Sequence, residues 1–207
     1  MQIVCRISEN GAEIERTDNG ISYWHNVDIK SFLNVFNEAV YQKTPEGHVS
    51  PLLPLGTLGY KESTGTYSVI MYREPRIAGI IFEERSYQVG YPGIVYMFVV
   101  TNQIVATTYM YAVKERVVKP DTELFRYPYF NAWADGRICM GTNHIPIEQP
   151  WQLHKMPDII TAMPSNNGLP ANNQSGLLGD SLLKAVENKP FPDEWLTPMN
   201  KKLKNLF

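Results

Sequence analysis

The run Tyr129-Phe130-Asn131-Ala132-Trp133-Ala134-Asp135-Gly136-Arg137-Ile138-Cys139-Met140-Gly141 decides how this chain is read. It sets a cysteine eight residues after an asparagine, reached through Gly-x-Ile-Cys. A thiolate can take an acyl group, and a carboxamide can steady the oxyanion formed during acyl exchange. Exchange between thioesters does not need a strongly activated sulfur. It needs an exposed one on a rigid shelf, beside a donor. Asp135-Gly136 reads as the turn that re-aims the chain before Cys139, with Gly136 expected at positive φ. Asp135 is a turn aspartate first, and a contact for an incoming lysine second. Arg137, two residues before the sulfur, could favour its thiolate form modestly. Asn131 can donate to an oxyanion or pin the loop that carries Cys139. Each residue also has a plainer reading: free cysteines are often buried packing residues, and asparagine is common in turns.

Outward from this run the chain alternates strand and turn signals. Gln2–Ser8 and Ala12–Thr17 flank Glu9-Asn10-Gly11, a hairpin signal, and Asp18-Asn19-Gly20 is a second turn. Asp28 caps an expected helix to about Tyr41, with Ile29, Phe32, Leu33, Phe36 and Val40 on one face. Residues 45–65 are rich in proline and glycine and read as loop. Their Gly56-Thr57-Leu58-Gly59-Tyr60-Lys61 lacks the Gly-Lys-Ser/Thr ending of a phosphate cradle. Four strands are expected at Thr66–Tyr72, Ile77–Phe82, Gly93–Val100 and Ile104–Val113, joined as an antiparallel meander by short connections. Thr101-Asn102-Gln103 suits a tight hairpin. Beyond the cysteine run, helices are expected at Leu177–Glu187 and Asp193–Leu206, separated from it by Trp151, Met156–Ile160 and a polar loop at Pro164–Gly176.

The 207 residues carry a net charge of −2 with 43% hydrophobic and 19% charged residues, which suits an ordinary soluble globular protein able to bury one core. No long basic run favours nucleic acid as the main partner. The longest apolar run, Gly93 to Val100, is far too short for a membrane span. With no signal-peptide pattern and only Cys5 and Cys139, both sulfurs are read as thiols in a reducing cytoplasm. Cys139, His144 and His154 lack compact zinc spacing, no Gly-x-Ser-x-Gly occurs, and no cofactor is expected. His144 reads as a surface residue, with a cysteine–histidine hydrolase as the minor alternative.

Asn131, Gly136, Ile138 and Cys139 resemble the active-site loop of ubiquitin-conjugating enzymes, where His-Pro-Asn precedes the thioester cysteine at this distance. Tyr129 and Phe130 stand in place of the histidine and proline. The run Pro128–Asn131, the Asp135-Gly136-Arg137-x-Cys139-x-Gly141 pattern and Phe191-Pro192 are similar to a bacterial subgroup, PRTRC system protein B, also called prokaryotic ubiquitin-conjugating-like. The resemblance implies an α+β, UBC-like fold: N-terminal helix, four-stranded meander, cysteine loop and C-terminal helices. An extra N-terminal β-hairpin, residues 1–27, would precede a catalytic domain at 28–207. It also implies partners: a ubiquitin-like protein, an adenylating (ThiF-type) activating enzyme, and a JAB-type metallopeptidase encoded nearby. Trp151 would correspond to the tryptophan that follows the cysteine, and the Pro164–Gly176 loop to the acceptor-side gate, with Asp158 and Asp180 the nearby acids. The rival readings are a binding or scaffold module on the same fold, and a cysteine peptidase or acyltransferase acting on unrelated esters.

Overall fold

A computed structural model describes residues 2–8, 11–18, 20–34 and 50–207. The chain divides into two compact units, Met1–Ser50 and Pro51–Phe207.

In the first unit, β1 (Gln2–Ser8), β2 (Gly11–Asp18) and β3 (Ile21–Val27) form an antiparallel sheet in that order. The expected two-stranded hairpin is thus a three-stranded sheet. The second turn, with Gly20 at φ +80°, returns a β-rich segment onto β2. Asp28 caps the next helix: its Oδ1 accepts the backbone N–H of Lys30 at 2.9 Å and of Ser31 at 3.3 Å. Hydrogen bonds from Ser31 and Lys30 hold its carboxyl below the usual range. The described part of this helix, α1, covers residues 29–34. Its expected continuation to Tyr41, with Phe36 and Val40, lies outside the described residues.

The second unit is built on a six-stranded antiparallel sheet. Its strands are β4 (Thr57–Ser63), β5 (Thr66–Arg73), β8 (Gly93–Thr101), β9 (Ile104–Val113), β10 (Glu123–Arg126) and β11 (Pro198–Lys202). They lie in the order β11-β10-β9-β8-β5-β4. Between β5 and β8 the chain leaves the sheet as a hairpin of β6 (Arg76–Phe82) and β7 (Arg85–Tyr91). The expected four-strand meander is corrected accordingly: β5 pairs directly with β8, from Thr66↔Thr101 to Arg73↔Ile94.

Alternation along these strands buries both faces of the sheet. Val69, Met71, Ile94, Tyr96, Phe98, Val100, Met110, Ala112 and Phe125 point into the larger core, beneath the β6–β7 hairpin and the helices. Ile70, Val95, Tyr111, Val113 and Leu124 point the other way, onto Leu203 and Leu206. Burying both faces explains why these strands read as near-continuous apolar runs.

The helices are few. A 3₁₀ turn at Pro150–Lys155 leads into α2 (Met156–Ala162), and α3 (Gly179–Ala185) is shorter than the expected Leu177–Glu187. The expected helix Asp193–Leu206 is replaced by a 3₁₀ turn, strand β11 and a second 3₁₀ turn. Pro198 cannot donate inside a helix, and β10 offers an edge that Lys201 and Lys202 take up opposite Leu124 and Glu123. The expected loop around Gly56–Lys61 is likewise mostly strand β4. At Gly59 the exposed Phe207 ring crosses the strand: a Cβ there would lie 1.9 Å from Phe207 Cε1, so a side chain would displace that ring. Among the described residues no helix is long and apolar enough to cross a membrane.

The core is rich in tyrosine, which sets an alkaline limit. Burial pushes the Tyr96 phenol up to about 12. The folded state therefore favours the neutral phenol. That stability is complete below the unfolded pKa of about 10 and is lost as pH rises towards 12. Tyrosinate absorbance from this residue is expected to appear together with loss of circular dichroism. A full, stepwise tyrosine titration under a native spectrum would contradict this packing.

Candidate active site

β9 extends past the end of β10, and the chain around Cys139 occupies the edge left free. Ile138 N–H donates to the Thr108 carbonyl at 2.8 Å, and Met110 N–H donates to the Gly136 carbonyl at 2.8 Å. Residues 131–139 fold back on themselves as a small hairpin. Cys139 N–H donates to the Asn131 carbonyl at 2.7 Å, Trp133 N–H donates to the Arg137 carbonyl at 2.9 Å, and Ala132 bridges Ile138. This register sets Cys139 opposite Asn131, and Arg137 opposite Trp133.

The turn follows from its residues. Gly136 has φ +92°, as its place before the cysteine suggests, and a Cβ there would sit 2.5 Å from Tyr111 Cε1. Asp135 Oδ1 accepts the Arg137 N–H at 3.0 Å, the turn role. Ala132 and Ile138 are buried, whereas Arg137 is exposed and lies over the Trp133 ring at 4.4 Å. Cys139 is half-buried and in no disulfide, and among the described residues nothing hydrogen-bonds its sulfur. It is neither sealed in the core nor freely projecting.

Asn131 adopts φ +60°, a left-handed conformation that asparagine tolerates. Its N–H donates to the Leu169 carbonyl at 3.3 Å, and its Nδ2 donates to the Pro164 carbonyl at 3.1 Å. A carboxamide carries two N–H donors. One is spent on Pro164, and the other has no protein acceptor among the described residues. Asn131 is thus a knot between the cysteine hairpin and the polar loop, with one donor left over.

Tyr129 and Phe130 anchor the hairpin from beneath. Tyr129 is fully buried, its hydroxyl donates to the Gly90 carbonyl, and its ring lies 5.0 Å from Tyr91 and 5.6 Å from Phe191. Burial raises its phenol well above the usual range. Phe130 stacks on Phe82 at 4.4 Å. The pair that departs from His-Pro therefore packs as core, and the tyrosine holds the loop through its hydroxyl. Tyr129→Phe is expected to cost about 0.5–1.5 kcal/mol in denaturant unfolding, the net worth of one such bond. No loss would show the bond to be idle.

The polar loop at 164–176 packs on the same hairpin. Besides Pro164 and Leu169, Asn172 Nδ2 donates to the Ala132 carbonyl at 3.2 Å, and Ser165 Oγ ties the loop to the Ile81 carbonyl at 2.6 Å. Asn172, Ser165 and Gly90 were not singled out from the sequence. Their partners lie far away along the chain, and no local pattern encodes such contacts. The loop holds no acid. Asp158 is paired with Arg73 at 2.7 Å and Arg76 at 3.4 Å. Asp180 is paired with Lys184 and accepts from Tyr87, and these bonds hold its carboxyl below the usual range. Both acids are engaged elsewhere. Trp151 is 41% exposed and stacked on His154. His144 is exposed. Among the described residues no three His, Cys, Asp or Glu side chains gather as a metal would need.

The strand-edge hairpin pairs a half-buried thiol residue with an asparagine across its backbone, the two residue types that acyl exchange on sulfur uses. The family model for prokaryotic E2 family D matches residues 37–156, more than half of the chain, and spans Asn131 and Cys139. The chain belongs to prokaryotic E2 family D, and its role at family level is ubiquitin-conjugating-like. No curated protein and no solved structure matches it. The polar loop, α3 and β11 lie beyond the matched residues.

Proposed function

We propose that the chain carries a ubiquitin-like protein as a thioester on Cys139 and passes it to an amine. The observation that supports this most is the pairing of Cys139 with Asn131 on the free edge of β9. It fixes the backbone under the sulfur, and the Asn131 amide keeps one N–H without a protein acceptor among the described residues. The Cys139 thiolate attacks the carbonyl of a thioester delivered by an adenylating, ThiF-type activating enzyme. A C–S bond forms to Sγ, and the delivering thiol leaves. A deprotonated amine, such as a lysine side chain, then attacks the same carbon; a C–N bond forms and Sγ departs as thiolate. The Asn131 N–H steadies the oxyanion in both steps. In this reading the chain falls in the PRTRC system protein B subgroup, works in the cytoplasm, and has a JAB-type metallopeptidase among its functional partners.

The test is incubation with activating enzyme, ubiquitin-like protein and ATP. An adduct removed by reductant is expected. A second reading, a binding module without turnover, is favoured by the engagement of the Asn131 amide with Pro164. Full biological activity of a Cys139→Ala variant would select it.

A further inference from the structure

The guanidinium carbon of Arg137 lies over the Trp133 ring, 4.4 Å from its centroid, on the exposed side of the cysteine hairpin. Among the described residues it has no carboxylate partner. The acid nearest in sequence, Asp135, spends its Oδ1 on the Arg137 backbone. Strand alternation places the Arg137 and Cys139 side chains on the same side, about 7 Å apart along the backbone, because buried Ile138 lies between them. A guanidinium stacked on an indole keeps its N–H edge free for bidentate contact with a carboxylate.

We infer that Arg137, held by Trp133, is a specificity determinant that docks an acidic side chain near the C-terminus of the acyl donor. This rests on the thioester reading of Cys139. The charge points to the donor and not to the acceptor: a lysine ammonium arriving on this face meets a like charge, whereas an acidic donor tail meets an opposite one. The contact is exposed, so its effect is modest and salt-sensitive.

Synthetic peptide α-thioesters with a small thiol leaving group provide the probe. Attack by Cys139 forms the C–S bond to Sγ and releases that thiol, so no activating enzyme is needed. Paired peptides carry aspartate or asparagine about two to four residues from the thioester, the reach of an extended chain at ~3.3 Å per residue. Acylation is followed by intact mass. The wild-type protein is expected to react with an aspartate peptide roughly two- to fivefold faster than with its asparagine twin at low ionic strength, and the preference is expected to fade with salt. Arg137→Ala should bring the ratio to one, and Arg137→Glu should invert it. A ratio unchanged by Arg137→Ala, or no preference at any position, overturns the inference while leaving the thioester reading intact. If neither peptide acylates Cys139, both fall.

Discussion

Cys139→Ala is expected to abolish the reductant-sensitive adduct entirely, with no change in fold. The side chain is half-buried and free of a disulfide, and among the described residues it makes no hydrogen bond, so alanine removes little packing. What disappears is the nucleophile. The hairpin backbone is held by the Asn131 carbonyl and by β9, neither of which involves the sulfur. A near-native unfolding curve together with zero adduct separates chemistry from structure. Cys139→Ser sharpens the test. Any ester that forms on oxygen should form slowly and survive reductant, since hydroxyl oxygen is a poor nucleophile without a general base. An adduct that persists in the alanine variant would place the chemistry on another residue.

Asn131→Ala is expected to slow transfer from Cys139 by about 100- to 1,000-fold, the usual cost of one oxyanion donor. Three effects combine in that variant. Alanine loses the spare N–H, and it also strains at φ +60°. It loses the bond to Pro164 as well, which loosens the polar loop. Asn131→Gly separates these contributions, because glycine relieves the backbone strain without restoring the amide. If the glycine variant is as slow as the alanine variant, the loss lies with the carboxamide, through the oxyanion or its bond to Pro164, and not with backbone strain. If glycine recovers most of the rate, Asn131 acts only by fixing the hairpin. Single-turnover release of acyl group from preformed thioester to free lysine measures both.

The hairpin of the candidate site was more legible than the sheet around it. Cys139, Asn131 and Gly136 could be read together because the hairpin that unites them is short, and its turn demands glycine. The destination of the Asn131 amide could not be read. Pro164 is distant in sequence, and no periodicity links the two. Tyr129 and Phe130 looked like departures from a pattern, and their role emerged only from the rings around them.

In the fold, the strands with dense β-formers were visible and the punctuated ones were not. β7 was hidden because its turn, Glu83-Glu84, takes φ of 45° and 67° without glycine or asparagine. By contrast, Asn102-Gln103 turns with φ of 49° and 62° at the tight hairpin expected there. β4 was masked by glycines, one of which lies under the Phe207 ring. β11 reads as helix in the sequence because its neighbours are good helix formers. The free edge of β10, a tertiary fact, outweighed that local preference. The pairing of β5 with β8 across an excised hairpin breaks the rule that sequence neighbours are sheet neighbours.

The most direct measurement is peptide mapping of the protein after brief incubation with an activating enzyme, a ubiquitin-like protein and ATP, analysed with and without reductant. The account expects a modifier remnant on the peptide containing Cys139, present without reductant and absent with it. A modifier that is activated and yet leaves Cys139 unlabelled, or labels the chain only through reductant-stable bonds elsewhere, would contradict it.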